Sequence, residues 1–333
     1  MKLEIIVSHK NCLDGHCCVA IREGINSSLN IYSWPIYLNP NEKFAVSWFF
    51  RFIIWILSFL IKIRIVFTDI TPPNICNIVK EFKNTSIFFE LYDHHHTQKN
   101  IISELEDLNL TNILITFDPE SKFGATKMLV DKYKDLLTEE QVYFFTKIAA
   151  CDMWNKEEFP DLVYFLFGFY NFCSLNLEGR IPESTNLWDI SFEGNVLLDT
   201  DIKNGKIYYE KIENILNEWI TININNLIIN YQHDCKILLI NIDKLPEALK
   251  NSNNMTSILS HYLDRNKYWN IKVLAIYKNE LSDYVSLRSI GYNDTNICFY
   301  DVSEIASICG GGGHKKASGC KLSLLKNLLK INI

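Results

Sequence analysis

Side chains that can bind metal ions follow several short apolar runs of the chain. His9, Asp69, Asp93 and Asp118 each come within two residues of the end of such a run, and Asp93 opens the sequence "DHHH". Because the carboxyl ends of parallel strands meet at one edge of an open α/β sheet, where ligands bind, we expect these groups to converge. Mixed imidazole and carboxylate ligands favour Mn²⁺, Fe²⁺, Co²⁺ or Zn²⁺ over Mg²⁺ or Ca²⁺. The pattern predicts metal or phosphate chemistry, with enough ligands for two ions.

A second reactive stretch, "CGGGGHKKASGC", occupies residues 309–320. Consecutive glycines let backbone N–H groups point together and form a nest for an anion. His314, Lys315 and Lys316 add charge-assisted donors beside the glycines, and Arg288 in "VSLRS" offers a bidentate fork for phosphate. The stretch predicts a binding site for a terminal phosphate, and a flexible turn with solvated lysines is the alternative.

The elements that must position these groups alternate between strand-like and helix-like runs in the first half of the chain. Short apolar β-branched runs such as "LEIIV", "IRIVF", "SIFFEL" and "NILITF" are separated by helical stretches. This order predicts an α/β fold with a parallel, doubly wound sheet. New strand-like runs begin at "CKILLINI". We predict a first domain over 1–180, a linker over 181–232 and a smaller α/β domain over 233–333. The linker contains a connecting helix from about 206 to 229.

The composition argues against duplex DNA as a partner and against a secreted protein. The chain of 333 residues has a net charge of −6, which argues against binding to duplex DNA. Its ten cysteines show no C-x-x-C spacing, and the N-terminal apolar run is too short for a secretion signal. We therefore expect reduced thiols and a cytoplasmic protein.

The segment 44–61, "FAVSWFFRFIIWILSFLI", is nearly apolar and interrupted by Arg51. It is borderline in length for a bilayer span, which needs roughly 20 apolar residues. A buried helix or a homodimer contact is the favoured interpretation, and an interfacial membrane helix is the alternative.

Several stretches share their residues and their order with a known family. They are "SHKNCLDGHCC", "VFTDITPP", "YDHHHT", "FDPESKFGAT", "CDMW" and the C-terminal set "VSLRS", "DVSEIA" and "GGGGHKKASG". Together they resemble the DHH phosphoesterase superfamily, in the subclass with a DHH-associated C-terminal domain, and in particular its oligoribonucleases for nanoRNA. The resemblance extends along nearly the whole chain.

The resemblance implies a set of metal ligands. Asp69 would bridge two ions, with His9 and Asp14 on one ion and His94 on the other. The complete predicted set is His9, Asp14, His16, Asp69, His94 and Asp152.

The resemblance also implies catalytic and substrate-binding residues. Asp69 would be essential for catalysis, His95 would contact the phosphate or the leaving group, and Asp93 would orient the histidines. The predicted substrate-binding residues are Arg288, Gly311, Gly312, Gly313, His314 and Lys315.

Two positions depart from the family pattern. The family commonly has a second Asp two residues after Asp14, where this chain has His16. The first acid of the motif matched by "AACDMW" would fall on Ala150, which leaves Asp152 as the remaining acid. Histidine can still bind a transition metal, with an altered preference between ions. The missing acid leaves open a catalytically weakened nucleotide-binding protein.

The predicted function is hydrolysis of short oligoribonucleotides or dinucleotides to nucleoside 5′-monophosphates by a metal-activated water. Two divalent ions, Mn²⁺ foremost, and no organic cofactor are expected. The substrate would sit in a cleft between the two domains. A phosphoesterase acting on cyclic dinucleotides or on 3′-phosphoadenosine 5′-phosphate is the alternative within the same chemistry.

Overall fold

The computed structural model describes residues 2–10, 12–39, 42–45, 48–176, 184–192, 194–231, 235–250, 255–268, 270–278, 282–291 and 300–331. The chain divides into two compact units. The first comprises Met1–Leu162 and Arg180–Asp199, and the second comprises Val163–Gly179 and Thr200–Ile333.

The strands of the described residues form two sheets. Along the chain they are β1 (Lys2–His9), β2 (Tyr32–Leu38), β3 (Lys62–Thr68), β4 (Phe88–Asp93), β5 (Ile113–Phe117), β6 (Ile228–Asn230), β7 (Lys236–Asn241), β8 (Val273–Tyr277), β9 (Tyr284–Ser289), β10 (Gly312–Gly313) and β11 (Ala317–Lys321). The first unit holds the order β2-β1-β3-β4-β5, and the second holds β10-β11-β9-β8-β7-β6.

The helices of the described residues connect these strands. They are α1 (Leu13–Ser28), α2 (Trp48–Ser58), α3 (Ile75–Glu81), α4 (Lys99–Asp107), α5 (Ala125–Lys132), α6 (Glu139–Asp152), α7 (Leu162–Asn176), α8 (Ser184–Ser191), α9 (Gly194–Asn223), α10 (Glu247–Lys250), α11 (Met255–Arg265), α12 (Val302–Ile308) and α13 (Leu322–Leu328).

All neighbouring strands of the first sheet are parallel. Ile5, Ile6 and Val7 of the central strand β1 are all fully buried, because helices cover both faces of the sheet. One face shares a core with α2, α3 and α4. On the other face α1 packs with α5, α6 and α8. The predicted doubly wound parallel sheet is confirmed.

A buried charge network ties α1 to its face of the sheet. Arg22 of α1 donates to both carboxylate oxygens of Glu4 on β1, with 2.8 Å from Nε to Oε1. Its Nη1 lies 3.4 Å from Oε2 of Glu90 on β4. All three residues are at most 2% exposed, so each charge depends on the others for compensation.

Strand β2 was absent from the sequence-based prediction. Among the strands of the described residues it pairs with β1 alone, at the edge of the sheet, and Pro35 lies in its middle opposite Ile6. A proline cannot donate to a strand ladder and is tolerated at an edge. The strand is also only half-buried, so its sequence lacks a continuous apolar pattern.

The second unit has a mixed sheet, in which β7 and β8 are parallel and the other neighbours are antiparallel. Its core packs α12 and α13 against this sheet. The connecting helix predicted at about 206 to 229 is α9, which begins at Gly194 and ends at Asn223.

The described residues 48–61 of the apolar segment 44–61 form α2 and its last turn rather than a fully buried helix. Ile54 and Ser58 face the core, whereas Trp55 and Phe59 are exposed. Among the described residues, no helix combines the length and the apolar composition needed to cross a membrane.

Candidate metal centre

The candidate ligands of the first unit meet where the strand order of its sheet reverses. From β1 the chain moves outward to β2 and then back to β3 on the other side of β1. His9 ends β1, and Asp69 directly follows β3. The carboxyl ends of two strands on either side of such a reversal leave a crevice for a ligand.

Asp69 is held at this crevice by an unusual backbone conformation. Its φ is 58°, in the left-handed region, and its N–H donates to the Tyr92 carbonyl at 2.9 Å. The carboxylate is buried, with Oδ1 3.1 Å from Nε2 of His94 and Oδ2 3.6 Å from Nδ1 of His9. Oδ2 accepts no hydrogen bond from the described residues, which leaves it available to a cation. The two oxygens of Asp69 thus face two different histidines, as the predicted bridging role requires.

Asp14 reaches the same crevice from the first turn of α1, where the start of α5 holds it. The N–H of Thr126 lies 3.3 Å from each carboxylate oxygen, and the Thr126 hydroxyl donates to the Asp14 carbonyl at 2.8 Å. A Cβ at Gly124 would lie 2.5 Å from this carboxylate. The motif "FGAT" therefore supplies the space and the donors that Asp14 needs.

His94 lies between two acids that are far apart in sequence. Its Nε2 is 3.1 Å from Asp69 and 3.3 Å from Oδ2 of Asp152, the last residue of α6. Although burial lowers the pKa of His94, the hydrogen bond to Asp69 and the charge of Asp152 outweigh it and raise the pKa to about 10.

His95 has a separate partner. Its Nδ1 lies 2.7 Å from Oδ1 of Asp93, which also accepts the His95 backbone N–H at 3.0 Å. Burial acts against the charged imidazole, but Asp93 prevails and the pKa of His95 is raised. Thr71 donates to the other oxygen of Asp93. Asp93 therefore orients His95.

The carboxylates of the centre repel one another. Burial is the main cause that raises the pKa of Asp14, followed by the charges of Asp69 and Asp152. Burial also raises the pKa of Asp152, whereas the histidines hold the pKa of Asp69 well below its usual range despite burial.

A divalent cation fits this donor set. One ligand atom from each of Asp14, Asp69 and His94 lies within 4.8 Å of the others, and the same is true of His9, Cys12 and Asp69. Positive charge at these positions would offset the repulsion between buried acids, and the mixed imidazole and carboxylate set suits Mn²⁺ among other transition ions.

Three residues considered in the sequence do not join these clusters. The ring of His16 stacks on Tyr37 with centroids 4.5 Å apart. Asp118 is exposed, and its carboxylate accepts the N–H of Glu120 in a turn. Ala150, at the position of the missing acid, is fully buried within α6.

Three site residues were not singled out from the sequence. Cys12, at the start of α1, lies close to His9 and Asp69, and burial followed by the charge of Asp69 raises the pKa of its thiol. Its position in the H-x-x-C pattern of the first motif was the sequence signal that could have identified it. Thr126 and Gly124 act on Asp14 only because α5 packs beside α1.

In the second unit, the glycine-rich stretch forms a tight hairpin after α12. Gly310 and Gly313 have φ values of 68° and 135°, which favour glycine. A Cβ at Gly311 would lie 1.9 Å from the Gly319 carbonyl oxygen, so Gly311 permits a close backbone approach. Gly312 pairs with Gly319 in β10 and β11.

The cationic residues of the second unit flank this hairpin. The backbone N–H of His314 donates to Ala317 at 2.8 Å, and the Lys315 carbonyl accepts the N–H of Val302, the first residue of α12. Arg288 on β9 pairs with Ala317 of β11. The hairpin thus brings the predicted substrate-binding residues of this unit into one neighbourhood.

Comparison with known proteins gives distant relatives. No protein-family model matches the chain. It is 27% identical to the uncharacterized protein R106 of Acanthamoeba polyphaga mimivirus over 98% of this chain and 69% of that protein.

Among solved structures, RecJ from Thermus thermophilus in complex with Mn²⁺ matches 98% of this chain and 51% of its own, with a TM-score of 0.52 and 12% identity. The pGpG-specific phosphodiesterase PggH from Vibrio cholerae matches 98% of each chain, with a TM-score of 0.45 and 13% identity. The parallel sheet and the match to RecJ agree with the motif order, and the chain has the fold of the DHH phosphoesterases.

Proposed function

We propose that this protein is a divalent-metal-dependent phosphodiesterase that hydrolyses short oligoribonucleotides or dinucleotides to nucleoside 5′-monophosphates. The observation that carries the proposal is the buried cluster of Asp14, Asp69 and His94, with Asp152 3.3 Å from His94. A set of buried acids that repel one another around histidines is suited to divalent cations.

His9, Asp14, Asp69, His94 and Asp152 would hold the ions. Bound ions would neutralise charge on the phosphodiester and lower the pKa of a water. Because the structurally similar RecJ was solved with Mn²⁺, this is the first ion to test.

His95, held by Asp93, would supply a proton to the leaving group. Asp93 accepts from Nδ1 of His95, so Nε2 is the ring nitrogen that would face the substrate. Asp93 favours the protonated imidazole and raises the pKa of His95 against the effect of burial, and that imidazole would donate the Nε2 proton to the departing oxygen. Asp93 would position His95 without contacting the substrate.

The second unit would bind the end of the substrate. The N–H groups of Gly311 and His314 donate within the unit, to Ala306 and Ala317, so the side chains of Arg288 and Lys315 beside the hairpin would supply the positive charge for the phosphate. A site for one terminal phosphate favours short substrates over long RNA.

A hydrolysis panel with Mn²⁺ tests the proposal. It contains a 5′-phosphorylated RNA dinucleotide, a longer RNA, duplex DNA, a cyclic dinucleotide and 3′-phosphoadenosine 5′-phosphate, each with wild type and the Asp69→Asn variant. We expect the RNA dinucleotide to be cleaved fastest by wild type and not by the variant. If wild type prefers the cyclic dinucleotide or 3′-phosphoadenosine 5′-phosphate, that compound defines the substrate class instead of short RNA. Equal cleavage by the variant would refute the metal-centre assignment.

The second candidate is a nucleotide-binding protein with weak or no activity, which Ala150 favours. No carboxylate is available at this buried position. Metal stoichiometry separates the two functions: two tightly held ions per chain support the enzyme, whereas one or none, with nucleotide binding and no turnover, supports the binding protein.

A further inference from the structure

Cys12 lies in the candidate metal centre but has no part in the proposed hydrolysis as described so far. It is the N-cap residue of α1 and follows His9, the last residue of β1, by three positions. One ligand atom from each of His9, Cys12 and Asp69, which we call the thiol set, lies within 4.8 Å of the others. The short connection between β1 and α1 therefore brings a thiol to the crevice that Asp69 reaches from β3.

The Asp69 carboxylate gives independent evidence that a cation belongs beside this thiol. Asp69 is 1% exposed, and its Oδ2, 3.6 Å from Nδ1 of His9, accepts no hydrogen bond from the described residues. The other oxygen, Oδ1, lies on the side of His94. A buried carboxylate oxygen without a donor is unfavourable unless a cation compensates its charge. The oxygen that needs a cation is thus the one beside His9, a member of the thiol set.

The position of Cys12 suits a negatively charged sulfur. The first N–H groups of a helix have no partner within the helix, and together with the helix dipole they favour an anion at its N-terminus. Cys12 occupies this place on α1, which has 16 residues, and it is partly exposed. Cys17 and Cys18, further along α1, are fully buried. Thiolates are stabilised at helix N-termini and beside metal ions, so Cys12 differs from these two packed cysteines.

The two donor groups that share Asp69 differ in chemistry. Asp14, Asp69 and His94 offer two carboxylates and one imidazole, whereas the thiol set offers one carboxylate, one imidazole and one sulfur. Sulfur ligands favour Zn²⁺ and similar ions, whereas oxygen ligands suit Mg²⁺ and Mn²⁺. The two ion positions should therefore differ in which ion they prefer.

The distances within the thiol set are compatible with a single ion. Ligand atoms bonded to a tetrahedral Zn²⁺ at about 2.0–2.3 Å lie roughly 3.5 Å apart. The separation of 3.6 Å between His9 and Asp69 is already close to this spacing, and a small side-chain movement would bring the sulfur to it. Catalytic zinc sites commonly have three protein ligands and one open position, which is the number of ligands that the thiol set supplies.

We propose that Cys12 binds, as a thiolate, the ion held by His9 and Asp69, and that this position selects Zn²⁺ or Co²⁺ over Mg²⁺ and Mn²⁺. The thiol proton would pass to the solvent as the bond between sulfur and metal forms, so no oxidant or reductant is needed. The position formed by Asp14 and His94 would still suit Mn²⁺. The proposal rests on the metal centre of the proposed function and is independent of its substrate.

Absorption spectroscopy with Co²⁺ and metal-depleted, reduced protein tests the proposal. A sulfur bound to Co²⁺ gives a charge-transfer band in the near ultraviolet that imidazole and carboxylate ligands do not give. We expect this band in wild type and its loss in Cys12→Ser. Cys76→Ser, at a buried cysteine of α3 on the other face of the sheet, is the matched control and should keep the band. Serine is a favoured N-cap residue, so Cys12→Ser should fold, and far-ultraviolet circular dichroism verifies this.

Competition between ions, followed by calorimetry, measures the selectivity. We expect the ratio of the Mn²⁺ to the Zn²⁺ dissociation constant to fall at least about tenfold in Cys12→Ser, since even residues that only support a metal ligand change affinity by about 10- to 100-fold. Cys12→Asp, which supplies an oxygen ligand in place of sulfur, should lose the band and shift the preference further toward Mn²⁺.

The outcomes separate a failure of this proposal from a failure of the metal centre. Calorimetric binding of Co²⁺ without the band, or a band that persists in Cys12→Ser, would overturn the role of Cys12 and leave the metal centre in place. An unchanged ratio of dissociation constants in Cys12→Ser would overturn the selectivity. Absence of Co²⁺ binding by wild type, or binding that is unchanged in Asp69→Asn, would refute the metal centre and this proposal with it.

Discussion

Nε2 of His94 lies 3.1 Å from Oδ1 of Asp69, at the buried edge of the sheet where β3 and β4 end. The two residues come from different strands, and each faces another candidate ligand: Asp152 beside His94 and His9 beside Asp69. Asp69 therefore connects the two halves of the proposed centre, and its removal is the most direct test of the site.

Two substitutions of Asp69 distinguish the role of its charge from the cost of its backbone conformation. Asn tolerates the left-handed conformation found at this position, whereas Ala costs roughly 1–2 kcal/mol there. We expect Asp69→Asn and Asp69→Ala to lower kcat/KM on the RNA dinucleotide at least about 100-fold, since loss of a ligand should exceed the usual loss for its supporting residues. Both variants lose the charge that the histidines stabilise, and Asp69→Ala, which adds the backbone cost, should show the lower midpoint of thermal unfolding without metal. Retained turnover in Asp69→Asn would remove Asp69 from the centre.

Asp14→Asn should stabilise the protein in the absence of metal. The pKa of Asp14 is raised by burial and then by Asp69 and Asp152, so its ionised form destabilises the fold above its unfolded pKa. Asn keeps an oxygen for the Thr126 N–H and removes the charge. We expect the midpoint of thermal unfolding to rise by a few degrees with EDTA, while the further rise caused by Mn²⁺ is lost. A lower midpoint with EDTA would contradict the repulsion between these acids.

Metal binding should release a proton from His94. Its pKa of about 10 exceeds the unfolded value, so the stabilisation from its proton is complete below about pH 6.5 and is lost as the pH rises through about 10. A metal must displace that proton, and we expect Mn²⁺ affinity to rise by up to about tenfold per pH unit between pH 7 and 9. Isothermal titration calorimetry in two buffers of different ionisation enthalpy measures the release. Equal heats in both buffers would contradict the prediction.

Arg22→Met should destabilise the first unit without directly affecting the candidate metal ligands of that unit. The change leaves Glu4 buried without its main partner, which costs about 3–5 kcal/mol. Adding Glu4→Gln should restore part of the free energy of unfolding, measured by urea denaturation. If the double variant is no more stable than Arg22→Met, the cost comes from packing rather than from the unpaired charge.

Arg288→Ala should affect substrate binding and spare the metal centre. Because Arg288 belongs to the predicted phosphate site of the second unit, we expect KM to rise on the order of tenfold with Mn²⁺ content unchanged. Lys321→Ala, at an exposed position at the end of β11, is the matched control. Loss of Mn²⁺ in Arg288→Ala would contradict the proposed division of labour between the units.

The sequence was sufficient to predict the parallel sheet and the approach of Asp69 to His94, because both depend on which residues end buried strands. It was insufficient for the edge strand β2, because Pro35 and the half-exposed side chains interrupt the apolar pattern of a strand. Contacts between elements, such as Thr126 with Asp14, depend on how two helices pack and have no local signature.

His16 shows what helix geometry adds to a motif. It follows Asp14 by two positions on α1, and side chains two positions apart on a helix do not face each other. The structure accordingly places its ring against Tyr37 on β2. Its predicted role as a metal ligand stays a prediction that metal content of His16→Ala can test.

Gly124 has no functional group, yet its missing side chain leaves the room that the Asp14 carboxylate occupies. A single methyl group at position 124 would displace that carboxylate while every ligand and donor remained encoded. A survey of natural variation that scores only acids and histidines would classify such an allele as intact. Gly124 therefore belongs with the ligands when inherited changes in this protein are interpreted.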